Sequence, residues 1–504
     1  MALALKTTIF LWGLCASLAA SVDIFKEYSF TTRVDHFAYS DERTFDMRYF
    51  ICDMYWKTGA GPVFFYTGSQ DSIKNLITKT GVLQEWAPDF NALIVFAEHR
   101  FYGESLPFGK SAFQSPQKLG YLTSEQALAD YADLILYLQR ALPGADRCPF
   151  VAFGGGYGGM LAALLRIKYP HLIEAALSSS APMRMFTGLT PCSAYFRAVT
   201  EAFERESAAC AVAIRQSWEL LESTASTSRG LRDLQKTFNL CQNIDRSRYS
   251  ILRDWIHMAY ETLARDNYAD PSLSGSSLPP YPVKEACRVL TGSNSNGTAP
   301  LELVAGVTNL CYNFAGRLRC NDILNIPTSS YSLGFQRCTE LVHPVCSDGV
   351  ADMFYPSVWD QAQESEKCRK TYGVRSDITK GYLFFGGGNL PSASKVIFSN
   401  GDRDPWNVYG IKDPPGDETM VLLIEGAAHH EDLRFSSPND SDALRLTRSV
   451  EKNYIRQWIS ETSNTSEIPP EIPEISQNST SCRIESGPEY VIALLSAMAL
   501  TALK

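Results

Sequence analysis

The segment Phe153-Gly154-Gly155-Gly156-Tyr157-Gly158-Gly159 has the glycine spacing of a nucleophile elbow, the Gly-x-Ser-x-Gly turn that lifts a reactive hydroxyl above a β-sheet. The flanking glycines stand at 154 and 158, but the central residue is Gly156. Glycine carries no atom that can attack a carbonyl or hold an acyl group. No Ser, Thr or Cys lies between Pro149 and Ile167 to replace it, and Ser178-Ser179-Ser180 ends the next apolar run. Further along, Asp404 follows the run Val396 to Phe398, and His429 follows the run Val421 to Ile424. Elbow, acid and base in that order is one arrangement in which a carboxylate orients an imidazole for acyl transfer. The backbone N–H of Tyr157, with one from Gly68 or Ser69 after Tyr66-Thr67, would hold the oxyanion of such a reaction.

These residues need a rigid platform. Val63 to Tyr66, Ala92 to Phe96, Pro149 to Phe153, Ala175 to Leu177 and Val396 to Phe398 are short apolar runs that end in turn residues. Continuous apolar strands alternating with helices predict a mostly parallel sheet covered on both faces. One helix is explicit. Thr123 caps it with Gln126 as the capping-box partner, and Leu128, Tyr131, Ile135, Leu138 and Leu142 recur at spacings of three and four before Pro143-Gly144. Between about Met183 and Gly386 the strand-like runs stop and helical patterns such as Ala198 to Leu221 take over. The expected organisation is an α/β domain in two parts, 22–185 and 389–462, interrupted by a helical insertion over 186–388.

Net charge is -9, from 46 basic and 55 acidic residues, which lacks the basic footprint of a nucleic-acid binder. Nine of the 13 cysteines fall between Cys192 and Cys368, a density that predicts disulfides in an oxidising compartment. No cysteine or histidine cluster has zinc spacing, so neither a metal nor a cofactor is expected. Residues 1–21, with Lys6, an apolar core and a small-residue exit, read as a secretory signal. Sequons at Asn296, Asn439, Asn464 and Asn478 fit the same route. At the other end, 463–504 holds a Pro- and Glu-rich stretch, a polar spacer and the apolar tail Val491 to Leu503. That order matches a GPI-attachment signal and equally a frayed amphipathic tail.

In its longer motifs the chain resembles the serine exopeptidase family of lysosomal Pro-X carboxypeptidase, dipeptidyl peptidase 2 and thymus-specific serine protease, with dipeptidyl peptidase 2 nearest. The matching segments include Val34-Asp35-His36-Phe37, Phe64 to Gly68, Ala97-Glu98-His99-Arg100-Phe101-Tyr102-Gly103, Ser399-Asn400-Gly401 with Asp404-Pro405-Trp406, and Ala428-His429-His430 with Asp432-Leu433-Arg434. The resemblance implies an α/β-hydrolase fold with a disulfide-rich helical cap. It also implies a triad whose acid and base are Asp404 and His429 and whose Ser is replaced by Gly156. Where the family reads Gly-Asn-Glu-Gly-Asp, this chain has Gly68-Ser69-Gln70-Asp71-Ser72. By resemblance, Met353, Phe354 and Trp406 would line a proline pocket, although ordinary core packing accounts for them as well, and Asp322 would face a substrate N-terminus. A homodimer is a family possibility.

The resulting expectation is a secreted, vesicular or lysosomal homologue of post-proline exopeptidases without its nucleophile. A side chain at the elbow is held in unfavourable backbone geometry, and glycine relieves that strain, so the inactive protein should fold. Its partners would be peptides with proline near one end, or another protein. Two alternatives stay open: an active exopeptidase, should Gly156 be an engineered change or a sequence error, and a GPI-tethered adhesion or ligand-binding protein.

Overall fold

The apolar runs become the inner strands of a mixed sheet in the computed structural model, which describes residues 24–465 apart from 271–277, 293–296, 298, 326, 327 and 417. The strands are β1 (Lys26–Arg33), β2 (Thr44–Cys52), β3 (Val63–Thr67), β4 (Leu93–Ala97), β5 (Phe150–Gly155), β6 (Ala175–Ser179), β7 (Val396–Gly401) and β8 (Thr419–Ile424). Their order is β1-β2-β4-β3-β5-β6-β7-β8, parallel from β4 to β8 and antiparallel through β2 and β1. This is the α/β-hydrolase fold. Every residue of β3 to β7 is buried, as continuous apolar runs require, whereas edge strand β8 is mostly half-exposed. β1 was not legible as an apolar run because most of its residues are polar and exposed.

Helix α1 (Ser124–Ala141) starts where the sequence predicts, with the Thr123 hydroxyl accepting from Gln126 N at 3.2 Å. The reciprocal half of the capping box does not form. The Gln126 amide instead donates to Asp35 and accepts from the His36 N–H, tying the start of the helix to the loop after β1. Helix α2 (Tyr157–Lys168) leaves β5 with no linker beyond Gly156.

The segment between β6 and β7 is helical. It includes α3 (Ala194–Glu206), α4 (Tyr249–Arg265) and α5 (Thr328–Thr339). The pattern over Ala198 to Leu221 is two helices rather than one, because the backbone at Ser207 is extended and a second helix starts at Ala208. Disulfides join Cys192 to Cys346, Cys210 to Cys287, Cys241 to Cys320 and Cys338 to Cys368, while Cys52, Cys148 and Cys311 are free thiols. The apolar core on one face of the sheet runs from Phe65 and Leu161 into the insertion through Phe196, Ile256 and Val307. Each such fully buried side chain contributes about 1.5–3 kcal/mol, so insertion and sheet are held as one body. The described residues through Thr462 accordingly form one compact unit. Helix α6 (Asp442–Thr465) packs Ile455 and Trp458 under the opposite face of the sheet. Asn439 is exposed ahead of it. The signal segment, Asn296, Asn478 and the apolar tail lie outside the described residues.

Candidate active site

The turn from β5 into α2 is built on glycines for steric reasons. Gly156 has φ 58° and ψ -125°, a conformation that side chains rarely adopt. A Cβ on Gly154 would stand 2.2 Å from Gly158 O, so strand and helix could not meet as closely with any other residue there. The Thr67 hydroxyl at the end of β3 locks this contact by donating to Gly158 O at 2.8 Å. Tyr157 N, at the first position of α2, has no acceptor within the helix and sits at its positive end.

Opposite the turn, β7 and β8 deliver the acid and the base. Asp404 is buried and opens a short 3₁₀ helix. Its Oδ1 accepts from Trp406 N at 3.0 Å, and its Oδ2 from Nδ1 of His429 at 2.8 Å. With Nδ1–H committed to the carboxylate, Nε2 of His429 presents its lone pair. A Cβ built on Gly156 would lie 3.2 Å from that Nε2, with His429 Cε1 at 3.7 Å and, beyond the adjoining turn and helix backbone, no other atom within 4 Å. The imidazole edge therefore faces the place a side chain would take at Gly156. The loop is further fixed by Tyr268, whose hydroxyl donates to His429 O at 2.8 Å and accepts from Arg434. His430 is neutral, because burial and the neighbouring His429 and Arg434 push its pKa well below the usual value.

Both Gly156 and His429 open on a cavity of about 170 Å³. Met160, Met185, Leu341 and Trp406 give it apolar walls, and Gln70 and Tyr157 close one side. Two cations reach it, Arg265 from the end of α4 and Arg337 from α5. Arg265 uses Nε and Nη2 on Asp266, at 2.8 and 2.9 Å. Arg337 is exposed and makes no ion pair among the described residues. No carboxylate side chain lines the cavity. His343, also in the wall, is neutral because desolvation pushes it down to about 4.

A model of a family of peptidases, serine carboxypeptidase S28, matches residues 32–451. The chain belongs to the serine carboxypeptidase S28 family. It is 41% identical over 433 residues to the lysosomal Pro-X carboxypeptidase of Bos taurus, covering 85% of this chain and 87% of that one. It is 39% identical over 440 residues to the Homo sapiens protein of the same name, covering 86% and 89%. To the thymus-specific serine protease of Mus musculus it is 29% identical over 459 residues, covering 84% and 86%.

Within this S28 chain the structure brings together Gly156, Tyr157, Trp406 and His429 at the cavity and holds Asp404 directly behind His429. Gly68 and Ser69 pack against Gly158, at 3.7 and 3.4 Å from its would-be Cβ, and the residue of their loop that lines the cavity is Gln70. Met353 and Phe354 are fully buried and do not line the cavity; Phe354 stacks on His257 and packs against Phe196. Asp322 is exposed on the insertion, where it accepts from Gln242 at 2.7 Å and does not reach the cavity. A position aligned through a variable, cross-linked segment could not be fixed by the motifs on either side of it. Sequence reading did not identify Met160, Arg265, Arg337 or His343. Met160 carried a signal, being four residues past Gly156 and so one helical turn along α2.

Proposed function

We propose that this chain binds peptides with proline next to a free carboxyl end and does not cleave them through an acyl-enzyme. The observation that carries the reading is the pairing of an oriented Asp404–His429 couple with Gly156 at the elbow. The base is in place and the atom it would deprotonate is missing from the sequence. Apolar walls of Met160, Met185, Leu341 and Trp406 suit a proline ring. Arg337, which has no ion pair among the described residues, suits a terminal carboxylate and would repel an N-terminal ammonium, while Arg265 is already paired with Asp266. The names of the Pro-X carboxypeptidase relatives point to the same end of a peptide. The four cross-links in the insertion, together with the signal-like first 21 residues, support entry into the secretory pathway with lysosomal or extracellular delivery.

The deciding experiment is calorimetric titration of the purified chain with a peptide ending in Pro-Phe and with its C-terminal amide, beside labelling by a fluorophosphonate probe. Saturable binding of the free acid, weaker binding of the amide and no labelling are expected. Stoichiometric labelling with turnover of the peptide would overturn the loss of covalent catalysis. Equal affinity for acid and amide would overturn the carboxylate reading.

A further inference from the structure

The elbow of this chain keeps an oriented base and a helix-start N–H but no nucleophile attached to the protein. The position a side chain would take at Gly156 borders the Nε2 edge of His429 and, beyond the adjoining turn and helix backbone, meets no other residue within 4 Å. Asp404 fixes the tautomer that makes Nε2 the acceptor. Tyr157 N–H stands at the start of α2, where an oxyanion would be received. The cavity wall offers no Ser, Thr, Cys or Lys as a substitute. The nearby hydroxyls are committed elsewhere: Ser178 donates to Gly159 O, Ser179 donates to Asp432, and Ser180 accepts from His430 N. A molecule occupies about 30 Å³ in liquid water, small against a cavity of about 170 Å³, so an acyl group and a small co-reactant fit together.

We propose that this site is a general-base centre that uses a small nucleophile from solution, water or a hydroxylamine-sized amine, in direct attack on activated acyl groups such as esters. A lone pair on the nucleophile forms the bond to the acyl carbon while its proton passes to Nε2 of His429. The carbonyl π pair moves onto oxygen and is held by Tyr157 N–H. Collapse of the adduct breaks the bond to the leaving alkoxide, which takes the proton from Nε2. Ester and water give acid and alcohol; ester and hydroxylamine give hydroxamic acid and alcohol. No bond to the protein forms at any stage. Peptide bonds lie beyond this chemistry, because a triad lacking a member retains only about 10³–10⁴-fold acceleration over water.

The proposal concerns chemistry at Gly156 and stands apart from the peptide-binding reading, so two esters separate the two. The mature chain is assayed with p-nitrophenyl acetate, which needs no peptide recognition, and with an N-blocked prolyl p-nitrophenyl ester, each with added hydroxylamine. Hydroxamate should form at a rate proportional to hydroxylamine, without a burst of nitrophenol, and about 10²-fold faster than with His429→Ala, the usual share of a general base. N-tert-butylhydroxylamine, which has a similar reacting atom but too much bulk for the space beside Gly156, should give no gain. That comparison needs no variant and holds even where His429→Ala fails to fold. A rate unchanged in His429→Ala, equal acceleration by the bulky amine, or a stoichiometric burst each overturns the proposal. Acetate turnover without prolyl-ester preference would leave the chemistry standing and count against proline recognition.

Discussion

Nδ1 of His429 and Oδ2 of Asp404 stand 2.8 Å apart in a protein whose elbow residue has no side chain. The couple is geometrically complete: the carboxylate is buried, braced by Trp406 N on its other oxygen, and the imidazole edge points at Gly156. One substitution should therefore be enough to complete the catalytic group.

Gly156→Ser is expected to create fluorophosphonate labelling and hydrolysis of Pro-X peptides. The gain in kcat should be on the order of 10⁶, by analogy with the cost of removing a serine nucleophile elsewhere. The side chain forced to φ 58° should cost about 1–3 kcal/mol of stability. Active-site labelling followed by mass spectrometry, with a thermal melt of the same preparation, checks both parts. A folded variant that neither labels nor hydrolyses would show that more than the hydroxyl is missing.

Gly154, at the start of the turn, should behave differently from Gly156. Gly154→Ala puts a methyl 2.2 Å from Gly158 O, a clash with backbone that cannot be relieved by a rotamer change. A loss of about 4 kcal/mol or more is expected, at the severe end of single substitutions. Gly156→Ala, which meets only the edge of His429 at 3.2 Å, should stay within about 3 kcal/mol. Denaturant titrations of the two variants make the comparison.

Arg337 supplies an exposed guanidinium to the cavity without an ion pair of its own. Removing a charged hydrogen bond costs about 1.5–3 kcal/mol, so Arg337→Gln should weaken binding of a free-acid Pro-X peptide about 10- to 100-fold. The amidated peptide should bind variant and parent alike. Titration calorimetry with both peptides distinguishes a carboxylate contact from a general loss of shape.

Under the sheet, α6 presents Glu451 to Asp432, which already accepts the hydroxyls of Ser179 and Ser399. Burial first, and then the charge of Asp432, holds Glu451 well above its ordinary value of 4.5. A carboxyl whose folded value is raised binds its proton more tightly in the folded state. Its contribution is complete below the unfolded value and is lost as pH rises through the folded one. Glu451→Gln, which fixes the neutral form, should therefore gain on the parent as pH increases. The difference in Tm between the two should widen from about pH 5 to pH 8; a constant difference would show that Glu451 is ionised in the fold.

The parts of the molecule readable from sequence are those set by neighbours in the chain. Strands β3 to β7 announce themselves as unbroken apolar runs because both their faces are buried, and the elbow follows from glycines at fixed spacing. Asp404 and His429 were reachable through the resembling motifs, with the strands that end at Gly401 and Ile424 a few residues before them in support. Arg265 and Arg337 were not, since they lie far along the chain from Gly156 and reach it only by the folding of the insertion over the sheet. The same distance misplaced Asp322, which the resemblance set at a substrate N-terminus. An aromatic within a resembling segment can equally be core, and Phe354 is, stacked on His257. Gln126 shows the limit at shorter range: its position fits a capping box, yet a competing acceptor at Asp35 takes its amide.

All the disulfides among the described residues begin and end between β6 and β7. A thiol reductant would then act on the roof of the cavity and leave the floor untouched. Arg265, Leu333, Arg337, Leu341 and His343 all belong to that roof. Cys311 would not begin the exchange itself, because burial pushes its thiol up to about 12 and leaves it without thiolate. In an oxidising vesicle the roof over the proposed ligand site would stay cross-linked; carried into a reducing one, it would lose those ties while the strands beneath stayed paired.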